Sequence, residues 1–131
     1  MTTETLAFLW ILVLAFGYLG VPAVMRVARV GLAPLAGSRD NIPVVDSVHY
    51  QRACRANDNL KETLPWILGL LILVQVAGVT NETTACGAWL YLWARVAYWP
   101  LYFFGVPWLR TAAWAAALVG IVMVAWPLIG V

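Results

Sequence analysis

The order of apolar and polar positions divides the chain into four long apolar runs, residues 6–25, 63–80, 85–104 and 111–131, separated by short polar stretches. None of the runs alternates with the period of two that a half-buried strand shows. Each is close to the roughly 20 residues a helix needs to cross a ~30 Å hydrocarbon core. The predicted fold is therefore all-α, an integral membrane four-helix bundle in a single domain spanning residues 1–131. The first helix is expected over about 5–30, ending near Gly31 and Pro34, because glycine follows helix ends and proline cannot continue one. On these bounds no charged residue precedes Arg26 in it, so a proton-coupled transporter is set aside.

The one long connection, 31–48, is rich in Gly, Pro, Ser and Asp, and a loop of that length in so small a protein is often functional. Asp46 or Ser47 is the expected N-cap of the second helix. That helix continues for several polar turns, "RACRANDNLKE", before becoming apolar at Thr63. Gly105 and Pro107 predict a tight turn between the third and fourth helices, and Pro100 is expected to kink the third.

Composition strengthens this picture. Hydrophobic residues make up 63% of the chain and charged residues 11%, against about 45–50% and about 25% in soluble domains. No basic region precedes the first run ("MTTET"), so it reads as a retained helix and not a cleaved signal. The net charge of +2, with cations spaced along helix ends, argues against a nucleic-acid partner. Arg26, Arg29, Arg39, Arg52, Arg55 and Lys61 surround the first loop, while Arg95 and Arg110 flank the third. By the positive-inside rule both loops face the cytoplasm and both termini the other side, in a bacterial inner membrane or an endoplasmic-reticulum-type membrane. Cys54 and Cys86 then lie a membrane thickness apart and cannot pair. Asn81-Glu82-Thr83 has the form of a glycosylation acceptor but reads as chance in so short a loop.

The charges are arranged in stripes. At 100° per residue, Arg52, Arg55, Asn59 and Glu62 fall within an arc of about 80° on the second helix, and Arg95, Tyr98 and Tyr102 within about 60° on the third. Cys54, Asn57 and Lys61 point elsewhere. Polar groups at membrane depth are tolerated where they face a bundle interior, a wet cavity or one another. Cations, two tyrosine hydroxyls, an amide and one carboxylate converging at one end predict an anion site with a place for an ammonium. The same stripes serve equally well as interhelix ion pairs and hydrogen bonds, or as arginines reaching for headgroups. Arg110 favours the anion reading, because a cation in the first turn of a helix opposes the helix dipole. His49 reads as solvated or structural.

The run from Arg52 to Glu62, with Arg55, Asn59 and Glu62 spaced by four and three, resembles the signature of the MAPEG family, the membrane-associated proteins of eicosanoid and glutathione metabolism. Arg95, Tyr98, Tyr102 and the following Arg110 resemble that family's motif on the third helix and the arginine after it. The resemblance covers the whole chain and implies a homotrimer binding bent glutathione between subunits at the cytoplasmic side. It implies glutathione contacts for Arg55, Asn59 and Glu62, with Arg52 beside them, and for Arg95, Tyr98 and Tyr102 from the neighbouring subunit. Arg110 resembles the arginine credited with activating the thiol. Arg29 or Arg26 matches a first-helix arginine. Thr63 departs from a member that carries tyrosine there, which implies one ligand contact fewer.

Glutathione, as co-substrate, carries two carboxylates, one ammonium and a thiol, which suit arginine forks, Glu62 and a cationic helix start respectively. The implied function is a glutathione-dependent transferase or peroxidase that activates the thiol against lipophilic electrophiles dissolved in the lipid bilayer. The alternative is a noncatalytic membrane subunit whose stripes only hold an oligomer together. No metal site is expected.

Overall fold

The computed structural model describes residues 1–131, and its regular structure is all helical, with residues 37–47 forming the one long connection. Five α-helices follow one another: α1 Thr3–Val30, α2 Leu32–Ala36, α3 Val48–Ala77, α4 Glu82–Phe103 and α5 Pro107–Ala125, closed by a 3-10 turn at Trp126–Gly130. The short α2 lies inside the stretch expected to be loop. The 3-10 turn replaces the last part of the expected fourth helix, since Pro127 lacks the N–H that α-helical continuation needs.

Local chemistry sets the helix ends. Ser47 caps α3 by accepting from the Tyr50 N–H, as its residue type predicted. Asn81 and Thr84 form a reciprocal capping box at the start of α4, a structural use for the amide of the apparent glycosylation acceptor. Pro107 opens α5, and Pro100 sits within an α4 that runs on to Phe103.

α1 begins two residues earlier than expected, with Thr2 as its cap. It therefore carries a charged residue ahead of Arg26. Glu4 is buried and accepts a 2.7 Å hydrogen bond from the Thr84 hydroxyl, pinning the start of α1 to the start of α4.

Three spans, Thr3–Val30, Val48–Ala77 and Pro107–Gly130, are long and apolar enough to cross a membrane by themselves; four were expected. The exception is α4, which has the length, 22 residues. Arg95, Tyr91, Tyr98, Tyr102 and Pro100 lower its mean hydropathy. Its position in the bundle explains why that is tolerated: α4 packs against α1, α3 and α5, so its polar groups face other helices. Where α4 meets α5 the two backbones touch. A Cβ on Gly87 would lie 2.7 Å from the Gly120 carbonyl oxygen, and one on Gly120 2.7 Å from that of Gly87.

Ile11, Tyr18, Leu60, Ile67, Leu71, Val74, Tyr91 and Val124 fill the interior. Large apolar side chains also cover the outside, among them Phe16, Trp66, Val76, Trp93 and Val122. Such a surface suits lipid and would be costly in water.

Candidate functional site

The polar residues of α3 and α4 meet around Arg95. This side chain is fully buried in the interior of the bundle. Its Nη1 donates to Asn59 Oδ1 and its Nη2 to Thr63 Oγ1, both at 2.7 Å. Thr63 shares a further 2.9 Å hydrogen bond with the Tyr91 hydroxyl, and the Tyr18 hydroxyl donates to the Arg95 carbonyl. One arginine thus ties α1, α3 and α4. No carboxylate pairs with it, since the protomer's one ion pair joins Lys61 and Asp58. Its charge is spread over the amide, the hydroxyl and two ring faces, Tyr91 at 5.6 Å and Tyr98 at 5.0 Å. A desolvated cation over an aromatic face is worth about 2 kcal/mol. Nε has no partner.

Beside this network Asn59, Tyr98, Arg110, Thr111 and Trp114 line a cavity of about 100 Å3. Arg110 stands in the first turn of α5, its backbone N–H bonded to the Val106 carbonyl. Its guanidinium lies 4.6 Å from the centre of the Tyr102 ring and makes no ion pair. The ring of Tyr98 lies 5.6 Å from that of Tyr102. Tyr98, Tyr102, Asn59, Arg95 and Arg110, all singled out by sequence, are therefore neighbours.

The other singled-out residues stand apart. Arg52 reaches across to the α4–α5 turn, where Nη1 donates to the Phe103 carbonyl at 3.3 Å. Its guanidinium packs on Gly105, where a Cβ would lie 2.8 Å from Nη2; a positive φ of 73° also requires glycine there. Arg55 and Glu62 are exposed along α3, with no hydrogen bond or ion pair within the protomer. Arg29 is exposed, whereas Arg26 is half-buried in a second cavity of about 610 Å3 between α1, α2 and α3. Arg39, Tyr50, Cys54, Asn57 and Lys61 also line that cavity, so the residues expected to leave the α3 stripe share a surface of their own. Within the chain the cations do not converge as expected: Arg95 and Arg110 flank the small cavity, Arg55 is exposed one helical turn before Asn59 on α3, and Arg26, Arg39 and Lys61 line the larger cavity. Both cysteines are free. His49 packs its ring 4.9 Å from Phe103, the structural use anticipated for it.

Thr63 and Tyr91 escaped the sequence reading as members of this cluster. Helical spacing held the signal, because Thr63 follows Asn59 by four and Tyr91 precedes Arg95 by four, each pair lying on one face. Tyr91 was hidden by apolar neighbours on both sides, and Thr63 by its place at the start of an apolar run.

The cavity can do one kind of chemistry well. Arg has only donors, so the Asn59 oxygen must be the atom turned to Arg95. The amide's N–H donors are left on its other arm, without a partner in the chain. With the Arg110 guanidinium and the Tyr98 hydroxyl, the lining offers hydrogen-bond donors and a positive charge but no carboxylate, while the Thr111 hydroxyl donates its hydrogen to the Pro107 carbonyl at 3.0 Å. Such a lining suits a small anionic group. No curated protein and no solved structure matched the chain in comparison. The model of the MAPEG family, in contrast, matches residues 6–130; together with the apolar spans and the motifs on α3 and α4, this shows that the chain is an integral membrane protein belonging to the MAPEG family.

Proposed function

We propose that the chain is a subunit of a glutathione-dependent transferase or peroxidase acting on lipophilic electrophiles drawn from the bilayer. The observation that carries this is the carboxylate-free cavity at the start of α5, where Arg110 has no counter-ion. A thiol with an ordinary pKa of about 8.5 is mostly protonated at neutral pH and nucleophilic only once ionised. A guanidinium, an amide N–H and a tyrosine hydroxyl around one small space favour the thiolate. The thiol proton leaves to solvent, and the sulfur then gives its electron pair to the electrophilic atom. That atom's bond to its leaving group, or its π bond, breaks, and the displaced electron pair takes up a proton from solvent.

A tripeptide exceeds 100 Å3, so the cavity takes the sulfur end alone. The rest of glutathione, with two carboxylates and an ammonium, needs cations and a carboxylate alongside. Arg55 and Glu62, exposed and unpaired on α3, suit those groups if a second subunit covers them. Arg26, in its half-buried cavity on another face, suits the same ligand from a neighbouring copy better than exposed Arg29 does. A homotrimer in which α3 and α4 of adjacent protomers face each other supplies that arrangement. In it α4 makes the fourth crossing, and the end with the long loop faces the cytoplasm.

The second reading is a noncatalytic membrane subunit. Arg95 favours it, because its hydrogen bonds join helices and its side chain is fully buried among them. Glutathione binding to the detergent-purified protein, followed by thiolate absorbance, separates the two. The enzyme reading expects saturable binding with thiolate present near neutral pH. Absence of binding would leave the structural-subunit reading.

A further inference from the structure

Arg95, Thr63 and Tyr91 do not line the cavity at Arg110, yet one member of that cavity is held through them. Asn59 is half-buried and its side chain's hydrogen bond is the one received from Arg95. A free asparagine can turn its amide over and present either an oxygen or an N–H donor. Here the turn is blocked by chemistry, because a flipped amide would set N–H against N–H. The orientation is only as firm as Arg95, and Arg95 is fixed by Thr63. The hydroxyl of Thr63 accepts from Nη2 at 2.7 Å and meets the Tyr91 hydroxyl at 2.9 Å. Its single hydrogen has two candidate acceptors, the Leu60 carbonyl at 3.3 Å and the Tyr91 oxygen.

We propose that Thr63, Tyr91 and Arg95 are positioning residues that lock Asn59 with its amide N–H groups toward the cavity, so that it accepts an ionised sulfur in preference to a neutral thiol. This rests on the glutathione reading given above. None of the three needs to touch the ligand. A neutral thiol must donate its own hydrogen, which the Arg110 guanidinium and the Asn59 N–H groups cannot accept; a thiolate is served by both. The thiol proton goes to solvent and no other bond changes.

The test is a pH titration of thiolate absorbance for bound glutathione in wild type, Thr63→Val, Thr63→Ser and Tyr91→Phe, beside binding of an analogue whose cysteine sulfur is replaced by a methyl group. Thr63→Val keeps the shape and removes the hydroxyl. The expected result is a rise of about one unit in the bound thiol's pKa, about tenfold less thiolate at a given pH below it. Analogue affinity should stay within about twofold. Thr63→Ser should restore the wild-type value, and Tyr91→Phe should shift it in the same direction by less. If Thr63→Val fails to fold, Tyr91→Phe alone decides, since it removes one hydroxyl and leaves Thr63 in place. A wild-type protein that forms thiolate while Thr63→Val and Tyr91→Phe form it at the same pKa overturns the positioning role and leaves the glutathione reading standing. A wild-type protein that binds no glutathione overturns that reading, and the positioning role falls with it. Equal losses of glutathione and analogue binding, with the pKa unmoved, would mark Thr63 as a packing residue and overturn the proposal.

Discussion

Arg95 lies over the rings of Tyr91 and Tyr98 and Arg110 over that of Tyr102, and their surroundings ask different things of them. Arg95 spends Nη1 and Nη2 on Asn59 and Thr63 in the interior, whereas Arg110 touches a ring face and a cavity and has no anion. Arg110→Ala is therefore expected to raise the pKa of bound glutathione's thiol while a sulfur-free analogue binds nearly as before. Each unit of rise would mean about 1.4 kcal/mol of lost preference for the ionised form, measured by thiolate absorbance against pH. Arg55→Ala should weaken glutathione and the analogue alike, because a carboxylate contact is indifferent to the sulfur; isothermal binding of both ligands checks this. Glu62→Gln should weaken both ligands too and loosen the oligomer, seen as a lower melting temperature in detergent, whereas a merely solvated Glu62 would change neither. Spacing put Asn59 on one face of α3 and Arg95 with Tyr98 on one face of α4, and the structure brings these three side chains together. Sequence could not say which of them another helix uses up. Thr63 counted in the sequence as one ligand contact fewer, and in the structure it is what Arg95 holds on to.

Among the elements, the ends of the helices were the most legible. Ser47 caps α3 and Pro107 opens α5, because capping and proline geometry are local and need no tertiary partner. Glu4 was missed for the opposite reason: its partner Thr84 is on a different helix, eighty residues away. The polarity of α4 likewise depends on its neighbours, since three helices cover it and a hydropathy average cannot see them. The contact between α4 and α5 was not legible either, as Gly87 and Gly120 become meaningful only when their backbones are seen to meet. Gly120→Ala would bring a Cβ to 2.7 Å from the Gly87 carbonyl oxygen and 2.9 Å from the Tyr91 nitrogen. Backbone atoms cannot step aside as a flexible side chain would, so the helices must separate. Overpacking of this kind costs about 1–3 kcal/mol. The expected outcome is a lower melting temperature for Gly120→Ala, and for Gly87→Ala likewise, beside an unchanged value for Gly69→Ala, which meets nothing within 4 Å.

At the scale of the whole molecule, several charges are left without a partner in the chain. Charged Arg55 and Glu62 lie exposed on α3, at the polar end of a helix otherwise apolar enough to cross a membrane, and unpaired charge near hydrocarbon is expensive. Arg26 and Lys61 line a separate cavity on another face. The account joins these features in one claim: glutathione is held between subunits of a trimer, with its sulfur at Arg110. Native mass spectrometry in detergent, with glutathione titrated in, tests that claim most directly. The account predicts a trimer that takes up glutathione to as many as three molecules, and a dissociated monomer that takes up none. A monomer that binds glutathione as tightly as the assembly, or a trimer that never binds it, would contradict the claim.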